Sequence, residues 1–264
     1  MTEKLTAIVL DITRHNDKLN VITLYTRSRG RLSFLSPAGA GKNGRLRQAR
    51  LQPLAVIEAD INFRNSSELQ RLGSFSLHNV WRDLYFNPIK QLMTLFLSEF
   101  LNKLLRATMP DENLWDFIYK SLTLLDNMQT GIGNFHITFL SSLLPFVGIQ
   151  PDHTQYMPGF LFDMQSGTFR RDNLYFENSL LKNHVSESNS YIPGHTSDHS
   201  AILTGEEACF AATLCRLNFS NMRALRLSGQ QRVNILQRLL QYYSFHFPGS
   251  GNLKSLDIIH ELFH

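Results

Sequence analysis

The chain has 264 residues, with 26 Lys+Arg against 22 Asp+Glu and a formal net charge of +4. Apolar residues make up 43% and charged ones 18%, which excludes a mainly disordered protein and allows one to three domains. Two cysteines exclude a disulfide scaffold and suit a reducing compartment.

The first 80 or so residues read as strands. Lys4 to Ile12 is rich in β-formers and ends at the polar turn Arg14-His15-Asn16-Asp17-Lys18. Leu19 to Thr26 follows, with apolar residues on both alternating faces, as in a strand of a small closed barrel. Ser28-Arg29-Gly30 is a turn, and Arg31 to Ser36 completes a hairpin. A Gly-rich basic loop leads to a long strand, Leu51 to Phe63, with Pro53 near its start. Leu69 to Leu77 supplies a fifth. Five short strands of this kind predict an OB-fold barrel over residues 1–82, with an SH3-like barrel as the nearest rival.

The period then changes. Asn87-Pro88 is a helix start, followed by a stripe at Leu92, Leu95, Phe96, Phe100, Leu104 and Leu105. Pro110-Asp111 restarts the chain ahead of Leu114, Trp115, Ile118, Leu122 and Leu125, and Asn134 to Val147 reads as a very apolar third helix stopped by Gly148. A small hairpin is expected around Gly159 and Ser166-Gly167, and His184 to Ser200 reads as a long polar loop. Two capping boxes, Thr204/Glu207 and Ser228/Gln231, open further helices, and a last one runs from about Asn252 to Phe263. The fold class is therefore α+β and multidomain: a five-stranded barrel, then an α-helical bundle over residues 83–264 with a small irregular insertion at about 150–203.

Targeting segments are absent from this reading. Glu3, Lys4 and Asp11 break any signal-peptide core, and the longest nearly apolar stretch, Ile137 to Ile149, is too short to span a bilayer. A soluble, cytoplasmic protein is expected.

Charge is unevenly distributed. Residues 1–85 hold 13 Lys/Arg and 7 Asp/Glu, whereas residues 86–264 hold 13 and 15. Arg27, Arg29, Arg31, Lys42, Arg45, Arg47 and Arg50 crowd one segment with no acidic residue among them. Such a run suits a polyanion partner, although a basic solvated loop pair has the same composition. OB-type barrels hold single strands with Lys/Arg on phosphates and exposed aromatics on bases. Tyr25, Phe34 and Phe63 are the nearby aromatics, each a candidate for the core as much as for stacking.

Catalytic chemistry finds little support. Gly39-Ala40-Gly41-Lys42 resembles a phosphate-binding loop, but Ser36 stands where its first Gly belongs and Asn43 where its Ser/Thr belongs, and no helix obviously follows. Cys209 and Cys215 lack knuckle spacing. His195, Asp198 and His199 could build a metal-dependent hydrolase, but the Glu that the i, i+4 His pair calls for is Thr196. No nucleophile elbow is present, and Glu206-Glu207 and Asp111-Glu112 fit first helical turns.

Short motifs in a fixed order carry a resemblance. Ile8-Val9-Leu10, Leu24-Tyr25-Thr26-Arg27-x-x-Gly30-Arg31-Leu32, the basic loop and Leu51-Gln52-Pro53-Leu54 look like the amino-terminal barrel of the RecO family of bacterial recombination mediators. The middle has Leu144-Pro145-Phe146-Val147-Gly148-Ile149-x-Pro151. Near the end come Leu239-x-x-Tyr242-Tyr243-x-x-His246 and Leu253-Lys254-Ser255-Leu256-x-Ile258-Ile259-x-Glu261-x-Phe263. The resemblance implies a non-enzymatic DNA repair protein that binds single- and double-stranded DNA and anneals complementary strands. It further implies that, with RecR, the protein helps load the RecA recombinase onto DNA coated by single-stranded DNA-binding protein (SSB). It places the acidic SSB tail on the helical domain, where Lys103 and Arg106 are candidate rim residues. Many members carry a four-cysteine zinc site after the Gly-x-x-Pro segment. Here Asp152 to Asp172 contains no cysteine, so no zinc or other cofactor is expected, with Phe160, Phe162 and Phe169 replacing the metal as a small apolar core. An RNA-binding OB protein is the remaining alternative.

Overall fold

The computed structural model describes residues 2–39, 41–63, 69–106, 109–171, 201–257 and 259. The chain divides into two compact units, one of residues 1–136, 227–234 and 249–264, the other of residues 137–226 and 235–248.

The first unit begins with an antiparallel meander of β1 (Thr2–Arg14), β2 (Leu19–Thr26) and β3 (Gly30–Pro37). The Asn16 side chain shapes the first turn by accepting the Lys18 and Leu19 N–H groups, both at 2.9 Å. β4 (Val56–Asn62) pairs with the other edge of β1. The expected fifth strand is two short ones, β5 (Gln70–Arg71) and β6 (Phe75–Leu77), and the sheet order is β5-β3-β2-β1-β4-β6. One short segment thus serves both sheet edges: Leu72 N–H donates to Leu35 C=O at 2.9 Å and Asp60 N–H to Ser74 C=O at 3.0 Å. Gly73 sits at the crossing, where a Cβ would lie 2.2 Å from the Asp60 oxygen. This closure makes the curled sheet an OB-type barrel.

Leu5, Ala7, Val9, Ile22, Leu24, Phe34, Ile57, Ala59 and Ile61 fill the interior. Ile8, Leu10 and Tyr25, on the alternate face, are buried as completely. That two-sided burial explains the unbroken apolar run Ala7–Leu10 in β1 and the apolar residues on both faces of β2. Ser98 on a helix donates to Leu10 C=O at 2.5 Å, so the outer face of β1 is covered by helix.

Two expectations about the barrel need correction. The long strand does not start at Leu51. Residues 52–55 form a turn with Leu54 at φ 60°, held by Leu54 N–H to Val9 C=O at 2.8 Å and Val9 N–H to Ala55 C=O at 2.9 Å. On its other edge, the register of β1 against β2 shifts between Val9 and Asp11. The Gly-rich basic loop is also not a loop throughout, since Gly41–Ala49 is a helix, α1. It is polar all round with two glycines, so no apolar stripe announces it.

Two helix starts match the reading of the sequence. α2 (Pro88–Leu104) is capped by the Asn87 side chain and α3 (Glu112–Asn127) by Asp111. Between barrel and helices, Trp81 Nε1–H donates to Leu54 C=O at 3.1 Å and Tyr85 O–H to Pro53 C=O at 3.0 Å. Asp126, at the end of α3, accepts the N–H groups of Arg82, Asp83 and Leu84 at 2.8–3.0 Å. Fully buried Lys90 donates to Asp83 at 2.6 Å and to Asp126 C=O at 2.8 Å.

Near the carboxyl end, Glu99 on α2 accepts the N–H groups of Lys254 and Ser255, both at 2.9 Å, and the Ser255 hydroxyl at 2.7 Å. Burial alone would raise the Glu99 carboxyl, but these donors and Lys103 outweigh it and bring it from 4.5 down to about 2. A depressed carboxylate contributes stability above its unfolded value and loses it as pH falls through the folded one. Glu99→Gln is expected to cost about 1–2 kcal/mol at neutral pH. In denaturant titrations, its difference from the parent should shrink as pH drops from 4.5 toward 2.

The second unit contains most of α4 (Phe135–Leu143) and of the last long helix. α4 is shorter than expected because Pro145 cannot donate to the helix, and turns carry the chain on to Gly148. β7 (Phe160–Asp163) pairs with β8 (Thr168–Arg171) as the expected hairpin and with β9 (Ile202–Leu203) as a third strand. Phe162 and Phe169 are buried with ring centroids 4.7 Å apart, while Phe160 is only half-buried. Tyr242 packs against Phe162, and His246 meets Met164 C=O at 3.0 Å. Elemental analysis should find no stoichiometric zinc, and prolonged chelation should leave the thermal transition unchanged.

α5 (Gly205–Leu214) begins at Thr204 without a side-chain cap bond, so that capping box does not form. The second one does: ahead of α6 (Gly229–His246), Ser228 Oγ accepts Gln231 N–H at 3.2 Å and Gln231 accepts Ser228 N–H at 2.8 Å. The polar loop from His184 to Ser200, with His195, Asp198 and His199, lies outside the described residues, as do 258 and 260–263 of the expected last helix, whose described part is helical only at Leu256, Asp257 and Ile259.

Candidate nucleic-acid interface

The seven cations singled out in the sequence do not form one patch. Arg27, Arg29 and Arg31 lie at the tip of the β2–β3 hairpin, whereas Lys42, Arg45, Arg47 and Arg50 lie on or just after α1, beyond the other end of β3. Eight-residue strands at about 3.3 Å per residue set the two groups roughly 23 Å apart along the ladder.

The tip arginines already have partners. Arg29 donates from Nε and Nη2 to both oxygens of Glu3 at 2.6–3.0 Å and lies 4.6 Å over the Phe63 ring. This pairing holds the Glu3 carboxyl below its usual value. Arg27 meets Glu112 and Asp116 at 3.4 and 3.3 Å, with Trp115 beneath it at 5.6 Å. Arg31 donates to Asn102 at 2.9 Å, and burial, with Arg106 adding a like charge, lowers its guanidinium.

Arg47 is likewise committed. It donates to Leu72 C=O at 3.0 Å and Gly73 C=O at 2.8 Å, and stacks 4.6 Å from the Phe75 ring. Those carbonyls belong to the segment that closes the barrel, so Arg47 pins α1 to the closure. Arg47→Met should cost about 1–2 kcal/mol in denaturant unfolding, whereas Arg45→Ala should stay within about 0.5 kcal/mol.

Arg45 and Arg50 are different. Both are exposed, and neither enters an ion pair among the described residues. Lys42 lies in the first turn of α1. Strand register adds two cations that the sequence reading missed: Lys18, whose C=O accepts Ala38 N–H at 2.8 Å, and Arg71, paired opposite Leu35. Both are exposed and unpaired among the described residues. Only the β2–β3 and β3–β5 pairings bring them to the α1 end, and no local sequence signal does. The expected aromatics divide: Tyr25 and Phe34 are fully buried in the fold, and Phe63 is half-buried under Arg29.

Around one end of the barrel, then, exposed cations stand without carboxylate partners among the described residues. This is the arrangement that neutralises a phosphate backbone without first breaking an ion pair. The candidate rim residues divide similarly. Lys103 is held by Glu99 and by Asn252 C=O, while Arg106 is exposed. Among the described residues no group of His, Cys, Asp and Glu side chains could hold a metal, and no helix is long and apolar enough to cross a membrane.

Comparison with known proteins agrees with this architecture. The family profile described as Recombination protein O N terminal matches residues 1–81, and that described as Recombination protein O C terminal matches residues 86–156. The DNA repair protein RecO of Phocaeicola vulgatus is 31% identical over 263 residues, covering the whole of both chains. Its namesake from Bacteroides fragilis is 29% identical over 265 residues, again end to end, and that from Porphyromonas gingivalis W83 is 29% identical over 97% of each chain. A barrel matched by one half of the family description, helices matched by the other, and end-to-end relatives of the same name leave one conclusion: the chain belongs to the RecO family of DNA repair and recombination proteins.

Proposed function

We propose that the chain is a recombination mediator without a catalytic centre. It binds single- and double-stranded DNA at the α1 end of the barrel and anneals complementary strands. With RecR it helps load RecA onto DNA coated by SSB. The observation that supports this reading is the set of exposed cations Lys18, Arg45, Arg50 and Arg71, unpaired among the described residues, at one end of a family OB barrel, with Lys42 on the same helix as Arg45.

Annealing needs two polyanions to approach, and cations on the protein lower that repulsion. Arg45, Arg50, Lys18 and Arg71 make the first contacts. Arg27, Arg29 and Arg31 join only by exchanging carboxylate or amide for phosphate, a step that costs about 1 kcal/mol or less at a surface ion pair. Four phosphate contacts give a log–log salt slope of roughly −3 on single strands. The first contacts with DNA are assigned to residues 1–82 and the protein partners to residues 83–264, with the acidic SSB tail near Arg106 rather than Lys103.

Strand annealing followed by fluorescence, with and without SSB across a salt series, tests the reading. Acceleration that fades as salt rises is expected, and no acceleration at any salt would overturn it.

A further inference from the structure

The acidic balance of residues 86–264 conceals a second basic run. From residue 208 to residue 256 the chain carries Arg216, Arg223, Arg226, Arg232, Arg238 and Lys254 with no Asp or Glu. Two of the arginines have work inside the fold: Arg238 pairs with Glu207 at 2.9 Å, and Arg232 donates to Asn134 at 3.0 Å. The other three, Arg216, Arg223 and Arg226, are exposed and enter no ion pair among the described residues.

All three sit on the connection between α5 and α6, which is a built loop. Asn218 Oδ1 accepts Ser220 N–H at 2.9 Å and Asn221 N–H at 3.2 Å, and Asn221 Oδ1 returns the favour to Asn218 N–H at 2.8 Å. Asn221 Nδ2 also donates to Arg216 C=O at 2.9 Å. Leu217 and Met222 anchor the loop from below, 8% and 2% exposed. The asparagines and apolar anchors fix the backbone, so the three guanidinium groups are not needed for the fold. Three like charges on one short loop repel one another, and a polyanion removes that cost.

We propose that the Arg216/Arg223/Arg226 loop is a second nucleic-acid surface, one that holds the complementary strand during annealing. This rests on the annealing function proposed above and assigns it a second site. A nucleic-acid strand fits better than an acidic peptide. Leu217 and Met222 are buried and Phe219 and Leu225 half-buried, so the loop's exposed residues are, apart from Ala224, polar or basic, a surface suited to phosphates more than to the apolar anchor of a peptide. Arginine suits phosphate through its planar, multidentate fork.

The full chain with Arg223→Glu and Arg226→Glu tests the proposal, read by stoichiometry with oligothymidylates of about 12 nucleotides and by annealing rate. The parent is expected to bind two oligonucleotides per chain. The double variant should bind one, with first-site affinity within about twofold, and should anneal at least about tenfold more slowly. Arg223→Lys with Arg226→Lys should keep most of both, which separates charge from any effect on folding. One oligonucleotide per parent chain, or parental annealing by the charge-reversed variant, would overturn the second site and leave the barrel site standing. If the charge-reversed variant lost binding of polyglutamate but annealed normally, the loop would be a protein-docking site and the proposal wrong. Failure of the parent to bind any oligonucleotide would remove both readings together.

Discussion

Asp126→Ala is expected to destabilise the protein by about 3–5 kcal/mol, enough to leave a marginal fold partly unfolded at room temperature. The carboxylate accepts three consecutive backbone N–H groups, Arg82, Asp83 and Leu84, at 2.8–3.0 Å. Alanine supplies no acceptor, and each buried donor left unsatisfied costs about 1–3 kcal/mol. The loss spreads further, because Lys90, fully buried, donates to Asp83 and to Asp126 C=O, so the turn that carries Asp83 is part of its cage. Denaturant unfolding measures the effect. Asp126→Asn should cost less, since its amide oxygen still accepts, and a cost below about 1 kcal/mol for alanine would show that water replaces the carboxylate. The same network lies where the barrel leads into the helices, which is why cutting the chain near residue 82 to test the division of labour would strip both halves of it.

Arg45→Glu with Arg50→Glu is expected to weaken single-stranded DNA binding at least tenfold at low salt and to reduce the salt slope from roughly −3 to roughly −1.5. Both side chains are exposed and unpaired among the described residues, so the thermal transition should hardly move. Arg27→Glu with Arg29→Glu is the informative control. These residues lose ion pairs to Glu112, Asp116 and Glu3, and DNA affinity should fall much less. Fluorescence anisotropy over a salt series separates the pairs, and equal losses from the two would mean that the hairpin tip contributes as much as α1. Arg47 is a poor choice for this purpose, because its removal frees the barrel closure as well as a charge.

Much of the fold was legible in the sequence because local chemistry announces it. Asn87-Pro88 and Asp111 carry their caps in their side chains, and Leu19 to Thr26 coincides with β2 residue for residue. What was hidden depended on distant pairings. The turn at Leu54 follows from hydrogen bonds to Val9, forty-five positions earlier, and the split of the last strand follows from a segment that must meet both sheet edges. α1 was hidden for the opposite reason: a polar helix of nine residues with Gly41 and Gly44 has no apolar period to detect.

The candidate site was legible as composition and not as geometry. Seven cations crowd one segment, but that segment turns back on itself, so Arg27, Arg29 and Arg31 end far from Arg45 and Arg50. Ion-pair partners such as Glu3 and Glu112 come from other elements, and sequence proximity cannot reveal that they occupy the tip. The converse holds for Lys18 and Arg71, which register alone delivers to the α1 end. In the helical part, the average charge masked a 49-residue stretch, residues 208–256, without an acid.

The central claim is that the first strand of DNA lies at the α1 end of the barrel. Hydrogen exchange on the full chain, with and without a substoichiometric short single strand, tests it most directly. Slowed exchange in residues 14–18, 41–50 and 70–73, with little change in residues 27–31, is the expected footprint. Protection confined to residues 27–31, or absent from the barrel altogether while DNA is bound, would contradict it.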